Sequence, residues 1–265
     1  MSKIKFTRKM LSIPYAVFMI LFVVIPLLLV VFYAFTDAEG NFSLGNVVTF
    51  FSNSTNLNTF VISILIGVAT TALCLLIGYP VAMILAKKEY KFGGVFVMLF
   101  VMPMWINFVL RTAATRDLLF WLGISGGEQP YSATMIGMVY NYLPFVILPL
   151  YTTMLKMDRS LIEASMDLGC NKVQTFVKTI IPMTMPGIVS AASMVFMPTM
   201  SSYVISDVMG ERQISLIGNT IQTYFDKSLW NMGSFIALVM MIIILITSFM
   251  TRNVEKQEDA RGSLW

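Results

Sequence analysis

Of 265 residues, 57% are hydrophobic and only 12% charged, against about 25% charged in an ordinary soluble domain, so composition argues against a soluble globular fold and for a polytopic membrane protein. The net charge of +4 would suit a nucleic-acid binder, but the basic residues are scattered between apolar segments and form no basic domain. Histidine is absent and the two cysteines, Cys74 and Cys170, lie far apart, which leaves no basis for a disulfide framework or a Cys/His metal site, so no metal is expected and both thiols read as structural.

In chain order, Lys3, Lys5, Arg8 and Lys9 precede an uncharged run over residues 10–36. A secretory core is typically about 7 to 15 apolar residues, whereas this run exceeds the roughly 20 that cross a bilayer, so it is expected to remain as span one, with Pro14 and Pro26 as bend points. Residues 37–58 carry Asn, Ser and Thr but no Lys or Arg and read as an outer loop. Span two covers about 59–86, where Ser63, Gly67 and Thr71 form a small-residue face for close helix packing. Lys87, Lys88 and Lys91 then anchor a cytoplasmic loop.

Span three is expected from about Gly93 to Leu110, ending in MPMWINFVLR. There Pro103 frees a backbone carbonyl, Trp105 offers an aromatic face and Arg111 marks the outer boundary. The apolar run Leu118 to Ile124 is too short to cross and reads as an interfacial helix. Span four, about 131–155, is interrupted by Tyr140, Asn141 and Pro144. Span five is expected from about Pro186 to Ile205, with Gly187 and Ala191 for close packing and a kink at Pro198. Span six runs from about Asn231 to Thr251. The expected division is a cytoplasmic tail over 1–9, a membrane domain over 10–251 and a cytoplasmic tail over 252–265. With the amino end inside, only Arg111, Arg116, Arg212 and Lys227 of the 18 basic residues lie outside, so the positive-inside rule puts both termini in the cytoplasm.

The long polar insertion is KMDRSLIEASMDLGCNKVQTFVKTIIPMTMPG, residues 156–187. Ser160 with Glu163 fits a capping box, Leu161, Ala164 and Leu168 make a narrow apolar stripe, and Glu163 and Asp167 share another face. Gly169 suits the left-handed residue that ends a helix. Asn171 with Gln174 repeats the capping pattern, and Val173, Phe176, Val177 and Ile180 form a second stripe that stops before Pro182. Two short helices hinged at a glycine are predicted.

Glu163-Ala164-Ser165, Gly169 and Pro182 resemble the EAA loop of bacterial ABC importer permeases, whose pattern is EAA, three residues, Gly, nine residues, Ile, one residue, Leu-Pro. Ser165 replaces the second Ala, Thr179 stands at the Ile position and Ile181 replaces Leu. The resemblance implies an all-α, polytopic type I (MetI-like) importer permease fold with six transmembrane helices. It also implies a cytoplasmic coupling helix that docks on an ATPase, with Glu163, Ala164, Asp167, Gly169 and Pro182 as the ATPase-coupling residues. A second permease subunit, forming a heterodimer, and two copies of an ATPase subunit come with it. The chain has no G-x-x-x-x-G-K-[ST] loop and, without histidine, no Ser-His or Cys-His pair. It is therefore expected to be a transport subunit and not an enzyme, with ATP and Mg bound by the partner ATPase.

A longer resemblance is to the first permease subunits of bacterial spermidine/putrescine importers. It rests on PMWINFVLRTAA at 103–114, VYNYLPFVILPLYTTMLKMDRSLIEASMDLG at 139–169, IIPMTMPGI at 180–188 and YVISDVMG with SLIGNTIQ within 203–222. It implies a polyamine cargo, an extracytoplasmic binding protein and a bacterial plasma membrane. A polycation in a low-dielectric passage needs carboxylates or aromatic faces, each cation–aromatic contact contributing about 0.5 to 2 kcal/mol. Asp207, Tyr203 four residues before it, and Trp105 are the substrate-pathway candidates. Arg111 would repel a cation and reads as a snorkelling or ion-pairing residue.

Two other readings stay open. The same architecture could carry thiamine, ferric ion or sulfate, and an ion-coupled secondary transporter would show an internal repeat and buried ionisable residues at mid-membrane depth. The 22 methionines are spread over nearly all spans and read as adaptable packing.

Overall fold

The computed structural model describes residues 12–87 and 92–262. The expected tail at 1–9, Lys88, Lys91 and the last three residues of the expected tail at 252–265 lie outside the described residues. Almost all of the described chain is helical, and the only β pairing among the described residues is the isolated bridge Thr36–Phe42.

Five helical stretches are long and apolar enough to cross a bilayer: Ile13–Ala34, Ser54–Leu85, Pro130–Lys156, Lys172–Ser201 and Trp230–Phe249. A sixth crossing arises if Gly93–Trp105 and Phe108–Trp121, bent by 101° at their break, count as one broken span. Three of the expected elements need correction.

Span one is α1 (Ser12–Met19), a π-turn over Ile20–Val24 and α2 (Ile25–Ala34). Pro26 has no N–H and its ring crowds the carbonyl four residues back, and the wide turn just before it relieves that crowding. The same device recurs in span five, which begins at Lys172 and ends at Ser201 instead of running from Pro186 to Ile205. There α9 (Lys172–Thr175) passes through a π-turn over Phe176–Ile180 into α10 (Ile181–Ser201), with Pro182 in the first turn. The second predicted short helix is thus the foot of a membrane span. The stretch 37–58, expected as an outer loop, contains α3 (Gly45–Ser52), and α4 (Ser54–Leu85) starts inside it.

The expected span from Gly93 to Leu110 is broken. Helix α5 (Gly93–Val101) tightens into a 3-10 turn over Met102–Trp105 that holds Pro103, and Ile106 is extended. Asn107 then restarts the helix: its side chain accepts from the N–H groups of Val109 at 3.0 Å and Leu110 at 3.3 Å. The new helix, α6 (Phe108–Trp121), absorbs the first part of the expected interfacial segment. The remaining helices are α7 (Pro130–Lys156), α8 (Ser160–Asp167), α11 (Tyr203–Met209), α12 (Ile217–Asp226) and α13 (Trp230–Gly262).

The described chain forms two compact units. In one, residues 12–57 with 220–242, Asn231 Nδ2 donates to the carbonyls of Thr36 at 2.8 Å and Asp37 at 3.1 Å, and Phe235 meets the rings of Phe35 and Phe50 edge-on. In the other, residues 58–219 with 243–262, α7 packs along α10 over a core that includes Cys74, Met138, Val146, Leu150, Ala191 and Val195. The small-residue face of α4 behaves as its spacing predicts: Ser63 and Thr71 are buried and Gly67 lies against Phe196 and Met200. Further along, Tyr79 shares a 2.9 Å hydrogen bond with Thr184 and meets Phe176 edge-on, fastening α4 to the fifth span. Gly187 packs on Thr153, also as predicted.

Candidate functional site

The elbow between α7 and α10 is built from side chains that satisfy backbone groups. The start of α8 differs from the predicted capping box. Asp158 Oδ1 accepts from the Ser160 N–H at 3.0 Å, so the Ser160 N–H is taken before Glu163 could reach back to it. That bond holds the Asp158 carboxyl below the usual carboxylate range. The other end of α8 follows the prediction. Gly169 has φ +87, its N–H reaches the Met166 carbonyl at 2.9 Å, and the Cys170 N–H reaches the Ser165 carbonyl at 3.2 Å. This paired pattern is the Schellman motif, and a side chain at Gly169 would strain it.

Asn171 and Gln174 form the predicted reciprocal cap, Gln174 N–H to Asn171 Oδ1 at 2.8 Å and Asn171 N–H to Gln174 Oε1 at 3.0 Å. Arg159 Nη2 donates to the Ala86 carbonyl at 3.1 Å, tying the elbow to the end of α4. The two polar departures from the EAA pattern meet each other: Thr179 Oγ1 donates to Ser165 Oγ at 3.2 Å, and Ser165 Oγ lies 3.3 Å from Thr175 Oγ1.

Glu163, Ala164, Asp167, Gly169 and Pro182 are all exposed. No residue of α8 is buried, and Leu168 on its apolar stripe is 87% exposed. An amphipathic helix whose apolar stripe is uncovered has the form of a docking element. Both cysteines are free, Cys74 buried and Cys170 half-buried in the elbow.

At the opposite end of α10, Ser202 breaks the helix and α11 begins at Tyr203. Asp207 Oδ1 accepts from Asn219 Nδ2, whose amide also reaches the Tyr203 carbonyl at 3.3 Å. Asn219 Oδ1 in turn accepts from the Ser206 hydroxyl at 2.8 Å and the Leu216 N–H at 2.9 Å. A Cβ at Gly218 would clash with the Ser201 carbonyl oxygen, so only glycine lets this turn approach the end of α10. Tyr203 and Asp207 thus share one helix, half-open to solvent, with Asp207 Oδ2 in no hydrogen bond among the described residues. Trp105 is 84% exposed and shares no ring contact or hydrogen bond with either among the described residues.

Arg111 is buried, not snorkelling, and has no ion-pair partner among the described residues. It is 8% exposed, its Nε donates to Asn141 Oδ1 at 2.9 Å, and its guanidinium lies 6.0 Å from the Phe108 ring and 5.8 Å from the Tyr140 ring. Asn141 Nδ2 donates to the Gly137 carbonyl at 2.8 Å and to Thr112 Oγ1 at 3.4 Å. Asn141 read only as an interruption of span four. An amide in the middle of an apolar span, where an unpaired polar group is costly, was the available signal for this pairing.

A family profile described as binding-protein-dependent transport system inner membrane component matches residues 78–258. The chain is 32% identical over 248 residues to the spermidine/putrescine transport system permease protein PotB of Escherichia coli (strain K12), covering 85% of this chain and 90% of that one. It is 33% identical over 263 residues to the protein of the same name in Haemophilus influenzae, covering 90% of each chain. In three dimensions it resembles a chain of a bacterial ABC transporter that imports the acidic polysaccharide alginate, with a TM-score of 0.67 at 14% identity over 93% of this chain and 95% of that one, a likeness of fold. The profile spans both the elbow and the α10–α11 break and the relatives extend over most of the remainder, so the chain belongs to the binding-protein-dependent transport system inner membrane component family.

Proposed function

We propose that the chain is the membrane-spanning permease subunit of an ATP-driven importer that takes polyamines of the spermidine/putrescine class from an extracytoplasmic binding protein and passes them into the cytoplasm. The observation that carries the cargo is identity of 32% and 33% to permeases named for spermidine/putrescine transport, along 85% and 90% of the chain. In this reading a second permease completes the passage, and two copies of an ATPase subunit bind ATP and Mg and dock on the elbow from the cytoplasm. Support for the docking is the uncovered face of α8, whose apolar stripe has no cover within the described chain.

Asp207 is proposed as the cargo carboxylate. Asn219 fixes one oxygen and leaves the other to accept from an ammonium group, with the Tyr203 ring on the same helix and Trp105 as a further aromatic face. Asparagine at 207 would keep the bond to Asn219 and remove only the charge. The test is uptake of radiolabelled spermidine in cells stripped of their own polyamine uptake and supplied with this chain and its partner subunits. ATP-dependent accumulation is expected, with Asp207→Asn raising the spermidine KM by about tenfold, the equivalent of one charge-assisted hydrogen bond. Uptake of thiamine, ferric ion or sulfate in place of spermidine would overturn the cargo, and an unchanged KM would remove Asp207 from the passage.

A further inference from the structure

A cleft of about 590 Å³ opens beside α8 where the ends of three membrane-crossing stretches meet. Lys87 from the end of α4, Arg159 from the elbow and Lys172 from the foot of span five line it, against a single carboxylate, Glu163. The rest of the wall is largely methionine: Met83, Met154, Met157 and Met166. Arg159 is already held there through Ala86, so its guanidinium needs no ligand to order it and keeps further N–H donors available.

We propose that this cleft holds an anionic glycerophospholipid, with the headgroup phosphate on Lys87, Arg159 and Lys172 and an acyl chain against the methionines. The excess of positive charge selects an anion and repels a polyamine, which separates this cleft from the proposed cargo route. A free inorganic anion would gain nothing from a methionine wall, whereas an amphiphile uses both surfaces. The position fits the same occupant. The ends of membrane-crossing helices lie at headgroup depth, and basic pockets between such helices are suited to acidic headgroups.

The test titrates the full purified chain with phosphatidylglycerol, with phosphatidylcholine of the same acyl chains, and with inorganic phosphate, counting bound lipid by native mass spectrometry. Phosphatidylglycerol is expected to be retained in preference. Each lysine near an anionic headgroup contributes about fivefold in binding, so Lys87→Gln with Lys172→Gln should weaken retention roughly 25-fold. Lys178→Gln, exposed in the same segment but outside the cleft, should leave it unchanged. Equal retention of the two lipids by the unaltered chain overturns the proposal, whatever the folding of the variants. So does a double variant that binds as well as Lys178→Gln, and displacement by inorganic phosphate would reassign the cleft to free anions. None of these readouts involves uptake, so failure of the polyamine reading leaves them standing.

Discussion

Ser165 departs from the motif the elbow resembles, and Thr179 answers the departure. Where the pattern has an alanine and an isoleucine, this chain has two hydroxyls in contact. Ser165→Ala alone strands the hydroxyls of Thr175 and Thr179 and is expected to cost about 0.5 to 1.5 kcal/mol. Adding Thr179→Ile replaces both partners by apolar groups, so the double variant should lose less than the two single losses combined. Thermal unfolding midpoints in detergent check this, and simple additivity would break the link. Asp158 supplies a pH test. Its folded pKa lies below the ordinary 3.8, so its stabilisation is complete above that value and is lost as pH falls through the depressed one. The protection of the amides at 160–163, taken relative to their intrinsic exchange at each pH, should therefore fall at acid pH in the native chain and lose that dependence in Asp158→Asn. The two caps also show what is legible at this scale. Asn171 with Gln174 was readable because no nearer acceptor competes, whereas Ser160 with Glu163 failed because Asp158 is closer in sequence to the same N–H. At the buried guanidinium, Arg111→Met leaves Asn141 Oδ1 unpaired at a cost of about 1 to 3 kcal/mol. Asn141→Leu should cost more, because it leaves a buried charge; unfolding of both variants compares them.

Among the elements, the elbow and the foot of span five respond to single changes in different ways. Gly169→Val forces a β-branched side chain into φ +87 and should cost about 1 to 2 kcal/mol locally. Because the strain falls on the exposed elbow and not on the core, the protein should still reach the membrane while spermidine uptake is lost; full uptake would count against the elbow as the coupling element. Pro182→Ala removes the reason for the wide turn over Phe176–Ile180. If that turn reverts to α, everything before it rotates by about 100°, one residue of helix. Spin-label distances from the elbow to α7 would register the shift. Hydropathy gave the apolar stretches but not these joints. The run MPMWI is apolar without a gap, and where the helix restarts depends on which group accepts the N–H groups of Val109 and Leu110, the side chain of Asn107. Likewise the foot of span five looked like a separate helix because Pro182 reads as a stop, while a π-turn carries the helix through it.

For the molecule as a whole, composition and periodicity were enough to give an all-helical membrane protein and five of its crossings. The pairing of Arg111 with Asn141, 30 residues away, was not legible because sequence spacing says nothing of which spans lie side by side. Orientation has its own test in the native thiols. With both termini and the elbow in the cytoplasm, an impermeant maleimide should label half-buried Cys170 in inside-out vesicles and not in intact cells, while buried Cys74 stays unreactive. Labelling from outside would invert the chain and remove the proposed ATPase contact.

The ties at the two ends of α4 carry a mechanical consequence. At one end Arg159 grips the last turn of α4, and the elbow runs directly into the foot of span five. At the other, Ser63 of α4 accepts the Ile217 N–H at 2.8 Å, and Gly218 lies against the last turn of α10. The two helices are therefore joined twice, once at the elbow and once at the 216–219 turn, and they are cross-braced by Tyr79 and Thr184 between. A displacement of the elbow would therefore load α4 and α10 together, and the turn that joins their far ends is the one whose Asn219 holds Asp207.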